Sequence, residues 1–116
     1  MGRVVGLMDD LFFQMKVAET AKHVGVTFQN AVAGDVLLGL LDPPTRLVVV
    51  DLNARGEPVA TIRRLRATHK ELPVFSFMSH VQTELASQAR EAGATEVLPR
   101  SAFAERLASI LARAKE

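Results

Sequence analysis

The feature that most constrains this chain is a run of four branched aliphatic residues closing on an acid, Leu47-Val48-Val49-Val50-Asp51. Pro43-Pro44 bounds it on one side and Asn53-Ala54-Arg55-Gly56 on the other. A short, continuously apolar segment between turn signals reads as a strand buried on both faces, the kind found in the middle of a helix-covered parallel sheet. Open α/β sheets place their ligands just beyond the carboxyl ends of such strands. Asp51 stands at that end and is the first candidate for chemistry.

Strand and helix signals alternate around this run. Arg3 to Met8 is a second apolar strand, and it too ends on acid, Asp9-Asp10. Leu11 to Gly25 carries the apolar positions Leu11, Met15, Ala18 and Val24 on a roughly helical period, with Gly25 as its stop. Val26 to Asn30 alternates and is β-rich, as expected near a sheet edge. Asp35 is positioned to cap a short helix, Val36 to Leu41, closed by Pro43-Pro44. Pro58 suits the first turn of the next helix, with Glu57 at its positive end, Val59, Ile62 and Leu65 inward and Arg63, Arg64, Arg66 and Lys70 outward. Pro73 to Met78 is a fourth strand, Thr83 to Ala92 a small-residue helix stopped by Gly93, and Glu96 to Leu98 a fifth strand. Ser101 is positioned to cap a last helix whose inward residues are Phe103, Leu107, Ile110, Leu111 and Ala114. Right-handed crossovers turn this alternation into an α/β three-layer sandwich around a five-stranded parallel sheet. With the flavodoxin-like order 2-1-3-4-5, strands one and three meet at the switch point, and Asp9, Asp10 and Asp51 converge at one edge.

Composition narrows the function classes. The 116 residues are read as one domain, Met1 to Glu116, with no separate output domain. The chain has no cysteine. That excludes disulfides, thiolate zinc sites and thiol catalysis, and is compatible with a reducing cytosol. The apolar start is too short for a signal peptide, and no run approaches the roughly 18 apolar residues of a membrane span, so a cytoplasmic location is expected. A net charge of +1 argues against a dominant attraction to nucleic acid or anionic lipid. The basic set Arg63, Arg64, Arg66 and Lys70 reads as a solvated helix face, since no reading helix or stacking aromatics accompany it. Phe12 and Phe13 are adjacent and cannot both point inward, which leaves one exposed near the acids.

Three carboxylates within several ångströms repel one another, and persist when a cation neutralises them or one stays protonated. All-oxygen ligation with room for water suits Mg²⁺. A carboxylate can also attack a phosphoryl donor and become an acyl phosphate, which calls for a metal, a balancing cation and a hydroxyl or amide for the phosphate oxygens.

Asp9-Asp10 after strand one, Asp51 after strand three, Leu72-Pro73-Val74 opening strand four and Ala92-Gly93-Ala94 before strand five together resemble a response-regulator receiver (CheY-like) domain over essentially the whole chain. The resemblance implies that Asp51 matches the phosphoacceptor. It also implies that Asp9, Asp10, Asp51 and the backbone carbonyl of Asn53 match the Mg²⁺ ligands. The chain departs from the pattern at four places. Met78 stands where receivers carry Thr or Ser, with Ser79 one residue late as a substitute hydroxyl. Arg100-Ser101 replaces the Lys-Pro pair, Val97 replaces the aromatic switch residue, and Leu52-Asn53-Ala54-Arg55 lacks the usual Met-Pro. Arginine forms a planar, always-charged fork where lysine is a compact point charge, so Arg100 is placed to clamp Asp51 directly.

The resulting expectation is an atypical, pseudo-receiver signalling domain of the two-component or phosphorelay type that acts through protein contact rather than by dedicated turnover. Its implied partners are a histidine kinase or a downstream effector, with a homodimer through the helix 4, strand 5 and helix 5 face as the family-level alternative. Two rival readings stay open beside it: a phosphorylation-independent adaptor locked by an Arg100–Asp51 pair, and a small Mg²⁺-dependent phosphotransfer enzyme using Asp9 and Asp51.

Overall fold

The computed structural model describes residues 1–115; Glu116 lies outside the described residues. The strands are β1 (Arg3–Leu7), β2 (Thr27–Ala31), β3 (Thr45–Asp51), β4 (Val74–Met78) and β5 (Glu96–Pro99). The helices are α1 (Leu11–Val24), α2 (Gly34–Leu38), α3 (Pro58–Thr68), α4 (Thr83–Ala92), α5 (Arg100–Glu105) and α6 (Leu107–Ala112), followed by a 3-10 turn at Arg113–Lys115. All strand pairs are parallel and the order is β2-β1-β3-β4-β5, as the alternation implied.

Leu47 to Asp51 are all buried, which is why this segment reads as one apolar run rather than an alternation. Its side chains divide between two cores. On one face Val48 and Val50 join Val5, Leu7, Ile62, Leu65 and Ala89 beneath α2, α3 and α4. On the other, Leu47 and Val49 join Val4, Phe75, Phe77, Phe103 and Leu111 beneath α1, α5 and α6. The register pairs Leu7 with Val50 and Asp51 with Phe77, so β1, β3 and β4 finish at a common edge.

Several sequence expectations are completed or corrected. In α1 the buried residues are Phe13, Val17 and Ala21, whereas Leu11 and Met15 are 71% and 68% exposed. Both sets fit a helical period, so periodicity alone does not choose between them. The phase is set by the β1–α1 turn, where the Asp10 side chain caps the helix by accepting from the Phe12 and Phe13 N–H groups. Phe13 is thereby turned inward and Phe12 outward, so one phenylalanine of the pair is exposed as expected. Helix α2 begins at Gly34 with Ala33 at the cap position. Asp35 therefore sits inside the first turn and spends its carboxylate on Arg64, 2.9 Å away. The helix also ends earlier than expected, at Leu38 before Gly39. Pro99 takes the cap position of α5, leaving Ser101 inside the helix, and the last helix breaks at Arg106. Arg66 does not point outward: its guanidinium donates to the carbonyls of Gly93, His69 and Leu72 at 2.7–3.1 Å, tying the end of α3 to the end of α4. Gly93 reverses the chain there with φ of 119°, a conformation that a side chain would strain.

Candidate functional site

The β1–α1, β3–α3, β4–α4 and β5–α5 junctions meet at the carboxyl edge of the sheet, and they carry every candidate the sequence singled out. Asp51 is 5% exposed. Its Oδ1 accepts the Asn53 N–H at 2.9 Å, closing a turn on the residue itself. Burial pushes the Asp51 carboxyl above the ordinary range. The Asn53 N–H and the Arg100 guanidinium pull the other way, and the charges of Asp9 and Asp10 add to the upward push.

Arg100 occupies the space between two of the acids. One of its terminal nitrogens donates to Asp10 Oδ2 at 3.2 Å, and the other lies 3.9 Å from Asp51 Oδ2. The fork therefore bridges Asp10 and Asp51 instead of closing on Asp51 as a bidentate pair. The guanidinium rests on aromatic rings, 4.9 Å from the centroid of Phe13 and 5.7 Å from that of Phe77. Phe103 completes this floor, stacked on Phe77 at 4.7 Å. Sequence reasoning missed the floor, because Phe13, Phe77 and Phe103 lie far apart in the chain and only the sheet order unites them.

The remaining acids are also engaged. The Asp10 carboxyl is held below its ordinary range, first by the Phe13 N–H and further by the Phe12 N–H and Arg100, against the opposing effect of burial. Asp9 Oδ2 accepts from both the backbone N–H of Arg55 at 2.9 Å and its Nε at 3.3 Å, a partner the sequence did not reveal. The three acids thus share one edge, as the switch-point argument required. Yet among the described residues no group of three or more acid, histidine or cysteine side chains is gathered so that it could hold a metal ion. As arranged, Asp9 turns to Arg55 and Asp10 to Arg100.

Ser79, the candidate substitute hydroxyl, is turned to Asn53. Its N–H and Oγ both donate to Asn53 Oδ1, at 2.8 and 2.9 Å, and Asn53 Nδ2 donates to Gln82 Oε1 at 3.0 Å. The Asn53 side-chain amide, distinct from the backbone carbonyl singled out in the sequence, ties the β3–α3 loop to the start of α4. Met78 and Val97 are buried together in the core under α4. Elsewhere the basic face of α3 is dispersed, since Arg64 pairs with Asp35 and Arg66 is turned to carbonyls. No helix among the described residues is long and apolar enough to cross a membrane.

Comparison with known proteins bears on the fold. No family model matches the chain, and no curated protein matches it by sequence. Solved structures do match. The chemotaxis protein CheY4 of Vibrio cholerae superposes with a TM-score of 0.82 at 19% identity, covering 98% of each chain. The receiver domain of NtrX from Brucella abortus gives 0.80 at 26% identity over 96% of each chain. A response regulator from Burkholderia pseudomallei, solved with a phosphorylated aspartic acid, a calcium ion and citrate, gives 0.80 at 19% identity, covering 96% of this chain and 66% of that one. The fold is that of response-regulator receiver domains.

Proposed function

We propose that this chain is a receiver-type signalling domain that works by binding another protein, and that Arg100 serves as the resident cation of its acid pocket. The observation that carries this reading is the guanidinium lying 3.2 Å from Asp10 and 3.9 Å from Asp51, seated on Phe13. It neutralises the two acids that a dication would otherwise have to bridge. Three further features favour a phosphate-independent adaptor. Met78 offers no hydroxyl, the Ser79 hydroxyl is committed to Asn53, and Val97 is packed in the core. A switch needs contacts that differ between its two states, and these positions have none to offer an acyl phosphate. We assign binding rather than turnover, because the carboxylates at the pocket are each held by a guanidinium or a backbone N–H.

A second reading keeps Asp51 as a phosphoacceptor served by Mg²⁺ and a histidine kinase. It is favoured by the position of Asp51 at the end of β3 and by the phosphorylated aspartic acid of the Burkholderia pseudomallei relative. It requires Arg100 to leave Asp10. Incubation with a small-molecule phosphodonor, followed by intact mass across a Mg²⁺ titration, separates the two. The adaptor reading expects no adduct and no Mg²⁺-dependent NMR shift at Asp9, Asp10 or Asp51. A phosphoryl adduct that is lost in Asp51→Ala overturns it and establishes the second reading.

A further inference from the structure

Helix α1 is apolar on two faces. One is spent on the core through Phe13, Val17 and Ala21. The other carries Leu11, Met15, Ala18 and Lys22, spaced four, three and four residues apart, and all are exposed. That spacing is the seam of a two-helix contact, with a lysine whose aliphatic stem closes the end. Phe12, 85% exposed, flanks the seam at one side, and Val32, 67% exposed, lines a groove with Leu11 beside Asp9. The helix 4, strand 5 and helix 5 side is different: the outward positions of α4 are Thr83, Glu84, Ser87, Gln88, Arg90 and Glu91, all polar. Val81 is the large apolar residue exposed beside them.

We infer that the α1 seam docks a second copy of this chain, with the two α1 helices antiparallel across a two-fold axis near Met15 and Ala18. Two observations choose that occupant. A two-fold contact must be self-complementary, and in an antiparallel pair Leu11 and Met15 of each copy meet Lys22 and Ala18 of the other. The charge order of α1 is itself self-complementary: Asp9 and Asp10 precede the helix and Lys22 and His23 occupy its last turn. Antiparallel alignment sets each acidic end against a basic one and opposes the helix dipoles. Asp9 and Asp10 already hold Arg55 and Arg100, so the Lys22 contact adds orientation more than affinity. The attraction comes from Leu11, Phe12 and Met15. A single helix face covers less than the roughly 1,200 Å² of a stable interface, so the association is reversible and concentration-dependent. It is independent of phosphoryl chemistry at Asp51.

The cysteine-free sequence makes the test direct. Sedimentation velocity over a wide concentration range should show a monomer–dimer equilibrium, weakened at least tenfold in Met15→Glu and in Leu11→Glu. Met15→Cys, carrying the only thiol, should oxidise to a covalent dimer faster than Val81→Cys, which is similarly exposed. A wild-type chain that stays monomeric throughout overturns the inference, whatever other protein the stripe binds. So does a dimer that Met15→Glu leaves intact, or equal crosslinking of the two thiol variants. Circular dichroism of each variant establishes that it is folded before the comparison is made.

Discussion

The bridge between Arg100 and Asp51 can be measured as a coupling energy. Replacing Arg100 by Gln leaves Asp10 and Asp51 facing each other without a cation, and replacing Asp51 by Asn removes one of the two charges. At the 3.9 Å observed between Arg100 and Asp51 Oδ2, a unit pair is worth about 4 kcal/mol at an effective dielectric near 20 and about 1 kcal/mol in bulk water. The Arg100 side chain is 34% exposed, and its nearer contact is with Asp10. Both facts move the value toward the screened limit. The expected coupling is therefore about 2 kcal/mol. Urea unfolding at neutral pH of the wild type, Arg100→Gln, Asp51→Asn and the double variant gives it as the excess cost of Arg100→Gln when Asp51 is present. The coupling should shrink in high salt. It should also vanish as pH falls through the raised Asp51 value, because a protonated Asp51 presents no charge to Arg100. If Arg100→Gln costs the same in both backgrounds to within about 0.5 kcal/mol, the guanidinium is not neutralising Asp51 and the locked-pocket reading fails.

Three other outcomes follow from the same geometry. Because Asp51 is raised in the folded chain, the folded state binds more protons than the unfolded one between the ordinary carboxylate value and the raised one. Its ionisation thus lowers stability as pH rises through that window. Asp51→Asn, whose amide oxygen can still accept the Asn53 N–H, should flatten this part of the stability–pH curve and unfold at higher urea above it. Phe13→Leu removes ring contacts with Phe77 at 5.0 Å and Phe103 at 5.9 Å, together with the platform under Arg100. A loss of about 2 kcal/mol is expected by thermal or urea unfolding. Arg66→Met strands the carbonyls of Gly93, His69 and Leu72. It should cost about 2 kcal/mol while leaving the NMR signals of Asp10, Asp51 and Arg100 in place.

The sheet was legible because its signals are redundant. The buried run ending at Asp51, the glycine stops at Gly25 and Gly93 and the apolar positions of the last helix each point to the same alternation, and that alternation admits few topologies. The convergence of Asp9, Asp10 and Asp51 followed from strand order alone. What the sequence did not disclose was where each carboxylate turns. Arg55 and Asp9 are brought together by a loop whose backbone N–H donates as well as its side chain, and no spacing rule encodes such a contact. The facing of α1 was not legible for a related reason: two apolar stripes compete on one helix, and the capping geometry at Asp10 decides between them.

The outer stripe carries functional content. An apolar stripe that is exposed in the folded chain, Leu11, Met15 and Ala18, lacks the burial that ordinarily accounts for such residues and is the kind of surface that meets a partner. The site chemistry points the same way. Arg100 answers the charge of Asp10 and Asp51 from within the chain, and Asn53, Ser79 and Gln82 tie the loop after β3 to the start of α4 without a phosphoryl group. On the function proposed above, the acid pocket is satisfied from within the chain, and the exposed apolar stripe of α1 is the surface left to meet a partner.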